Sequence, residues 1–140
     1  MKICIILGTR PEIIKLSPLI RYCEKLGVKI SAFYLFGYEG ETRKKMKETL
    51  KYAKKLNTFL ARFAVSTPYP GTPFFEDMKK KGRIATEDFE RYTQFNLVTK
   101  HKTFNNKDIQ YMRSKAYKEY YFRPSYMLKF LQWKIREFWL

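Results

Sequence analysis

Hydrophobic and polar positions change period repeatedly along the first 82 residues. Residues 2–7 form a short apolar run that predicts a buried strand, and residues 11–26 follow as an amphipathic segment. Pro11 falls in the first turn of that helix, where a missing N–H costs little, and Gly27 stops it. Residues 29–36 are apolar or aromatic almost throughout, as in a strand covered on both faces. Gly37 and Gly40 then make a turn and Thr42 is placed to cap a helix. Met46, Leu50, Ala53 and Leu56 recur at helical spacing as far as about Asn57. Residues 59–66 predict a third strand, which runs into Thr67-Pro68-Tyr69-Pro70-Gly71-Thr72-Pro73. Three prolines and a glycine there force a rigid loop. Residues 74–81 predict a further helix with Gly82 at its C′ position.

Strand and helix in strict alternation predict an α/β fold: three βα units with parallel strands and right-handed crossovers. Such units place ligand-contacting loops at the C-terminal ends of the strands, here residues 8–11, 37–42 and 67–73. Three parallel strands are few for an independent domain, which points to a fragment or an obligate assembly. After residue 83 the alternation gives way to C-terminal helices. Residues 86–92 predict a short acidic helix capped by Thr86, followed by an irregular stretch through Lys102. Residues 106–122 predict a helix with Ile109, Met112, Ala116 and Tyr120 on one face. A last helix starts at Pro124, with Met127, Leu128, Leu131, Ile135 and Phe138 as its stripe and Phe130, Trp133 and Trp139 widening it. That broad arc suits packing against the chain, a partner groove, a missing domain or a membrane surface.

Composition narrows the functional classes. Lys and Arg number 29 against 13 Asp and Glu, a formal charge of +16, yet hydrophobic residues make up 45% and aromatics 18%. That apolar content excludes a disordered chain. No apolar run is long enough to span a membrane. Nucleic-acid binding is not expected, because the lysines of residues 43–55 surround the apolar line of a solvated helix and no nucleic-acid motif accompanies them. Cys4 and Cys23, the two cysteines, make neither a disulfide scaffold nor a metal site. They fit a reducing cytoplasm, with membrane association through the last helix as a further expectation. His101, the single histidine, reads as a surface residue, and no catalytic set or metal cluster is visible.

The N-terminal segment containing Gly8-Thr9-Arg10-Pro11-Glu12 and Lys15 resembles the opening of the non-hydrolysing UDP-N-acetylglucosamine 2-epimerases over about residues 1–26. The resemblance implies a strand, loop and helix of a nucleotide-binding domain. Arg10 would hold the nucleotide phosphate and Lys15 would support it, since a helix N-terminus and a guanidinium both favour phosphate. The acids and histidine of that family's proton transfer do not follow.

Beyond Gly27 the chain resembles another family. The segments Gly27-Val28-Lys29-Ile30-Ser31-Ala32-Phe33-Tyr34-Leu35-Phe36-Gly37-Tyr38-Glu39-Gly40-Glu41-Thr42, then residues 67–76, then Lys115-Ala116-Tyr117-Lys118-Glu119-Tyr120-Tyr121-Phe122-Arg123-Pro124-Ser125-Tyr126-Met127-Leu128 look like the C-terminal part of cobalamin-binding-type radical S-adenosylmethionine enzymes. Similarity over about residues 27–131 implies strands five and six of a partial (βα)6 TIM barrel in residues 27–82 and a helical extension in residues 83–140. It implies contacts to S-adenosylmethionine by Leu35, Gly37, Gly40, Glu41 and Thr67. Glu39 stands where the family usually has proline, which implies a looser loop. The family's iron-sulfur cluster needs three cysteines in CxxxCxxC order, and Cys4 and Cys23 cannot form that set. The cobalamin-binding domain is also absent. The chain therefore reads as a truncated family member, inactive alone, with the other barrel half or another subunit as its partner. The alternatives are an epimerase-related nucleotide-sugar fragment and a basic membrane- or nucleic-acid-binding module.

Overall fold

Strands β1 (Lys2–Leu7), β2 (Lys29–Phe36) and β3 (Leu60–Val65) form one parallel sheet in the order β1-β2-β3. The computed structural model describes residues 2–7 and 10–138, with side chains described for 15–135. Register pairs Ile3 with Ile30 and Phe33 with Arg62. Among the described residues five α-helices accompany the sheet: α1 (Arg10–Lys25), α2 (Arg43–Leu56), α3 (Pro73–Lys80), α4 (Asn106–Tyr121) and α5 (Pro124–Phe138). The expected strands and these five helices recur with boundaries moved by at most one or two residues. Thr42 caps α2 by accepting from the Lys45 amide, and Gly82 follows α3 in the left-handed region at φ +62°. Asn57, also left-handed at φ 53°, ends α2.

Burial along β2 alternates residue by residue. Ile30, Ala32, Tyr34 and Phe36 are buried, while Lys29, Ser31, Phe33 and Leu35 on the opposite face are half-exposed. The expectation of a strand covered on both faces is therefore corrected. The reason is that α1, α2 and α4 contribute Ile20, Met46, Leu50, Ala53, Ile109, Met112 and Ala116 to a single core on one face. On the other face the exposed Arg62 guanidinium lies 5.6 Å from the Phe33 ring. Phe63 sits at the centre of the covered face, with the Tyr34, Phe36 and Tyr117 rings 5.3–5.7 Å away.

A further correction concerns the third βα unit. The helix that covers β3 is α4, not α3. Pro68, Pro70 and Gly71 carry the chain away from the sheet before α3 begins at Pro73, and α3 packs instead on the following segment. Phe75, Tyr92 and Val98, with Ile84, form a small second cluster there. The expected acidic helix at 86–92 contracts to a single 3-10 turn, Phe89–Arg91, because Asp88 rather than Thr86 caps it. The stretch read as irregular contains an antiparallel bridge between Ile84 and Thr99.

Among the described residues the outward edge of β3 has no neighbouring strand, yet every second residue along it is hydrogen-bonded. Phe59 C=O accepts from the Tyr126 hydroxyl at 2.9 Å. The Tyr121 hydroxyl accepts from Ala61 N–H at 3.0 Å and donates to Ala61 C=O at 2.7 Å. Phe63 N–H donates to the Tyr117 hydroxyl at 3.2 Å, and Phe63 C=O accepts from Arg113 Nε at 3.0 Å. Val65 N–H donates to Gln94 C=O at 2.8 Å. Side chains of α4 and α5 thus occupy positions that backbone groups of a fourth strand would take. Beside this edge, the Tyr120 hydroxyl donates to Thr58 C=O at 2.7 Å, and the Arg123 guanidinium lies 4.5 Å above the Tyr120 ring. Arg123 also donates to Asn57 Oδ1 at 2.5 Å and to Lys54 C=O, fixing the end of α2 to the α4–α5 junction.

Of the alternatives open for helix α5, packing of its apolar stripe back on the chain is not the one observed. Met127, Leu128, Leu131 and Ile135 are 50–62% exposed. The helix attaches by its other side, through buried Tyr126 and through Trp133 edge-on to Phe59 at 4.8 Å. Lys129 adds an ion pair to Glu24 of α1 at 2.9 Å. Phe138 and Trp139, expected in the stripe, have side chains outside the described set.

Burial raises the pKa of Tyr120 and Tyr121 above the ordinary tyrosine value and pushes Tyr126 up to about 12. All three hydroxyls donate to backbone carbonyls, and a phenolate cannot donate. Folded values raised above the unfolded ones mean a contribution fully present below about pH 10 and lost as pH rises through the folded values. Far-UV circular dichroism across an alkaline titration should therefore show unfolding above about pH 10, with tyrosinate absorbance rising in the same step.

Candidate functional site

Parallel strands bring the C-terminal ends of β2 and β3 side by side, and Ser66 N–H donates to Phe36 C=O at 2.7 Å across that end. Gly37 makes the exit turn from β2 at φ +81°, a conformation that favours glycine. A β-carbon there would meet Leu97 Cδ1 at 3.1 Å and Val65 Cγ1 at 3.4 Å. The loop is then closed by Glu41, whose Oε2 accepts from Gly37 N–H at 2.5 Å and Tyr38 N–H at 3.3 Å. Burial raises the Glu41 pKa, while these two N–H groups and nearby Lys45 oppose the rise. Lys45 also donates to Gly40 C=O at 3.1 Å.

Thr67 follows β3 and shares its hydroxyl hydrogen between Thr93 C=O at 2.9 Å and Val65 C=O at 3.2 Å. Leu35 pairs with Ala64 in the register and lies half-buried on the open face of the sheet. Leu35, Gly37, Glu41 and Thr67 therefore meet at one end of the β2–β3 pair. Gly40 stands in the outer loop, with open space where a β-carbon would go. Glu41 and Thr67 use their side chains to hold loops, so the polar groups the sequence singled out serve the chain's own backbone. Lys15 is exposed on α1. Gly8, Thr9 and the Arg10 side chain lie outside the described residues.

Sequence reasoning missed a cleft of about 660 Å³ beside the 37–42 loop. Its walls include Glu39, Lys81, Arg83, Lys100, His101 and Lys102. Glu39 holds two cations, Lys81 at 3.1 Å and Arg83 at 2.7 Å. Lys81 also reaches Asp77 at 2.7 Å, and Arg83 donates to Lys100 C=O through Nε and a terminal nitrogen at 3.1–3.2 Å. His101, expected on the surface, is half-buried, 2.9 Å from Thr99 Oγ1 and stacked on Phe104 at 4.3 Å. Burial lowers its pKa, and neighbouring Arg83 lowers it further while Glu39 opposes. Burial and Arg83 both favour the neutral imidazole. Among the described residues no group of His, Cys, Asp and Glu could hold a metal ion. The cleft draws on three separated segments, and only the charge of its lysines and arginine was visible in the sequence.

Comparison with known proteins places the chain beside tetrapyrrole-modifying enzymes and a methyltransferase. It is 33% identical over 110 residues to an uncharacterized methyltransferase of Pyrococcus horikoshii, covering 79% of this chain and 24% of that protein. It is 32% identical over 117 residues to the bacteriochlorophyllide d C-8(2)-methyltransferase of Chlorobaculum tepidum, covering 84% of the chain and 26% of the relative. An anaerobic magnesium-protoporphyrin IX monomethyl ester cyclase of Rubrivivax gelatinosus is 34% identical over 73 residues, 52% of the chain and 12% of the relative. The chain spans about a quarter of the length of the two methyltransferases. These relatives support the radical S-adenosylmethionine resemblance at the level of class. The epimerase resemblance of the N-terminal segment gains no such support. No family model matches the chain.

The two loop glycines separate packing from loop conformation. Gly37→Ala meets both the left-handed backbone cost and the Leu97 contact, whereas Gly40→Ala at φ +70° meets only the first. Each should lose about 1–2 kcal/mol for the backbone, with Gly37→Ala losing about 1–3 kcal/mol more from overpacking. Paired urea-unfolding curves check the order.

Proposed function

We propose that this chain is a piece of a radical S-adenosylmethionine enzyme of the cobalamin-binding type, contributing part of the wall that meets S-adenosylmethionine. The observation that carries the reading is the similarity to two methyltransferases over 79% and 84% of the chain. The architecture supports it. Consecutive parallel strands with their covering helices on one face are the arrangement of a barrel segment, and a sheet wound on both faces would divide the helices. The edge of β3, sealed by α4 and α5, suits the last strand of a barrel that does not close.

The cofactor would lie across the open face at the strand ends. Half-buried Leu35 offers an apolar contact there, and Gly40 leaves room for close approach. The Gly37 turn and the Glu41 clamp would act indirectly, by fixing the loop. S-adenosylmethionine would supply a sulfonium whose carbon–sulfur bond is cleaved or whose methyl group is transferred, with the thioether or methionine as leaving group. An iron-sulfur cluster does not fit this chain, because its two cysteines, Cys4 and Cys23, cannot supply three thiolates. Radical generation therefore falls to sequence outside this chain, and the chain alone would be inactive. Among the described residues no helix is long and apolar enough to cross a membrane.

The purified chain should melt cooperatively, with its midpoint raised by about 4 °C at tenfold excess of S-adenosylmethionine over its Kd. Leu35→Arg should abolish the rise. Thermal circular dichroism checks both, and a midpoint unmoved by millimolar cofactor contradicts the proposal.

A further inference from the structure

The cleft beside the 37–42 loop carries a charge pattern that the cofactor reading does not use. Two of its cations are fixed in place. Lys81 contacts both oxygens of Glu39, at 3.1 and 3.2 Å, as well as Asp77. Arg83 is clamped between Glu39 and Lys100 C=O. Glu39 thus already shows an oxyanion held by a lysine and an arginine in this cleft. Lys100 and Lys102 line the same cleft, and neither has a carboxylate within ion-pair distance among the described residues. Glu41, the other acid of the lining, is turned onto the Gly37 and Tyr38 amides. His101 lies between the two lysines in the sequence and lines the cleft with them. Lys81, Arg83, Lys100 and Lys102 outnumber Glu39 and Asp77, the carboxylates that reach them, and leave a net positive hollow whose volume, about 660 Å³, is of small-molecule size.

We propose that this cleft binds a multiply charged small-molecule oxyanion, a phosphate or polycarboxylate group, through Lys100 and Lys102, with Lys81 and Arg83 shared between the ligand and Glu39. Glu39 acts as a built-in competitor that keeps the hollow ordered when it is empty. The proposal rests on the cleft cations; Gly40 of the S-adenosylmethionine reading also lines this cleft, so the two readings share the 37–42 loop but not the lysines.

Isothermal titration of the full chain at low salt with pyrophosphate, and separately with citrate, tests it. Pyrophosphate or citrate should bind, and Lys100→Gln with Lys102→Gln should weaken binding at least about tenfold. Lys51→Gln with Lys55→Gln removes the same charge from the exposed face of α2 and should change it less than about twofold. Glu39→Gln should tighten binding, and circular dichroism confirms that this variant keeps its fold. Tighter pyrophosphate than citrate identifies a phosphate ligand, and the reverse identifies a polycarboxylate. Absence of binding by either anion at millimolar concentration overturns the proposal. So does equal weakening by the α2 pair, which would mean that overall charge alone attracts anions. The Lys100/Lys102 double variant should keep its S-adenosylmethionine melting shift, so failure of one reading is distinguishable from failure of the other.

Discussion

The structure depends on how the exposed edge of β3 is satisfied. A parallel sheet of three strands leaves two rows of unpaired backbone groups, and each row invites another strand. Along β3 that row is taken up at Phe59, Ala61, Phe63 and Val65 by Tyr126, Tyr121, Tyr117, Arg113 and the Gln94 carbonyl. The same tyrosines bury rings against Phe63 and one another, so one set of side chains closes the hydrogen-bonding edge and completes the core. Sequence 113–126 is therefore less a tail than the side wall of the sheet.

Sealing one edge orients everything else. Any further strand has to join at β1, and any further layer has to cover the face that carries Leu35, Phe33 and Arg62. Helix α4 takes the place over β3 that α3 would fill in a simple repeat, which frees α3 to pack on the 84–98 segment. That segment in turn carries Leu97 under the Gly37 turn and Lys100 to Lys102 along the cleft. The candidate site is thus supported from two sides, by strand ends and by a loop held outside the sheet.

Much of this fold was legible from periodicity and punctuation. The strands, the Thr42 cap and the Gly37 and Gly82 turns follow from local chemistry that neighbouring residues decide. Local signals could not say which helix covers β3, because α3 and α4 are both amphipathic and the choice rests on contacts 50 or more residues apart, such as Phe63 with Arg113. Apolar spacing likewise left open how α5 attaches, which Tyr126 and Trp133 decide by combining ring burial or edge contact with the needs of β3. At the site, Gly37, Glu41 and Thr67 were found as residues but their work is internal. The cleft was illegible because residues near 40, 82 and 101 meet only in three dimensions.

Amide hydrogen exchange at Ala61 and Phe63 tests the central claim most directly. If tyrosine hydroxyls close the β3 edge, both amides exchange slowly in the native chain, Tyr121→Phe speeds Ala61, and Tyr117→Phe speeds Phe63, each without unfolding the sheet. Fast exchange at both positions in the unmodified chain, with the β2–β3 amides still protected, would contradict the account.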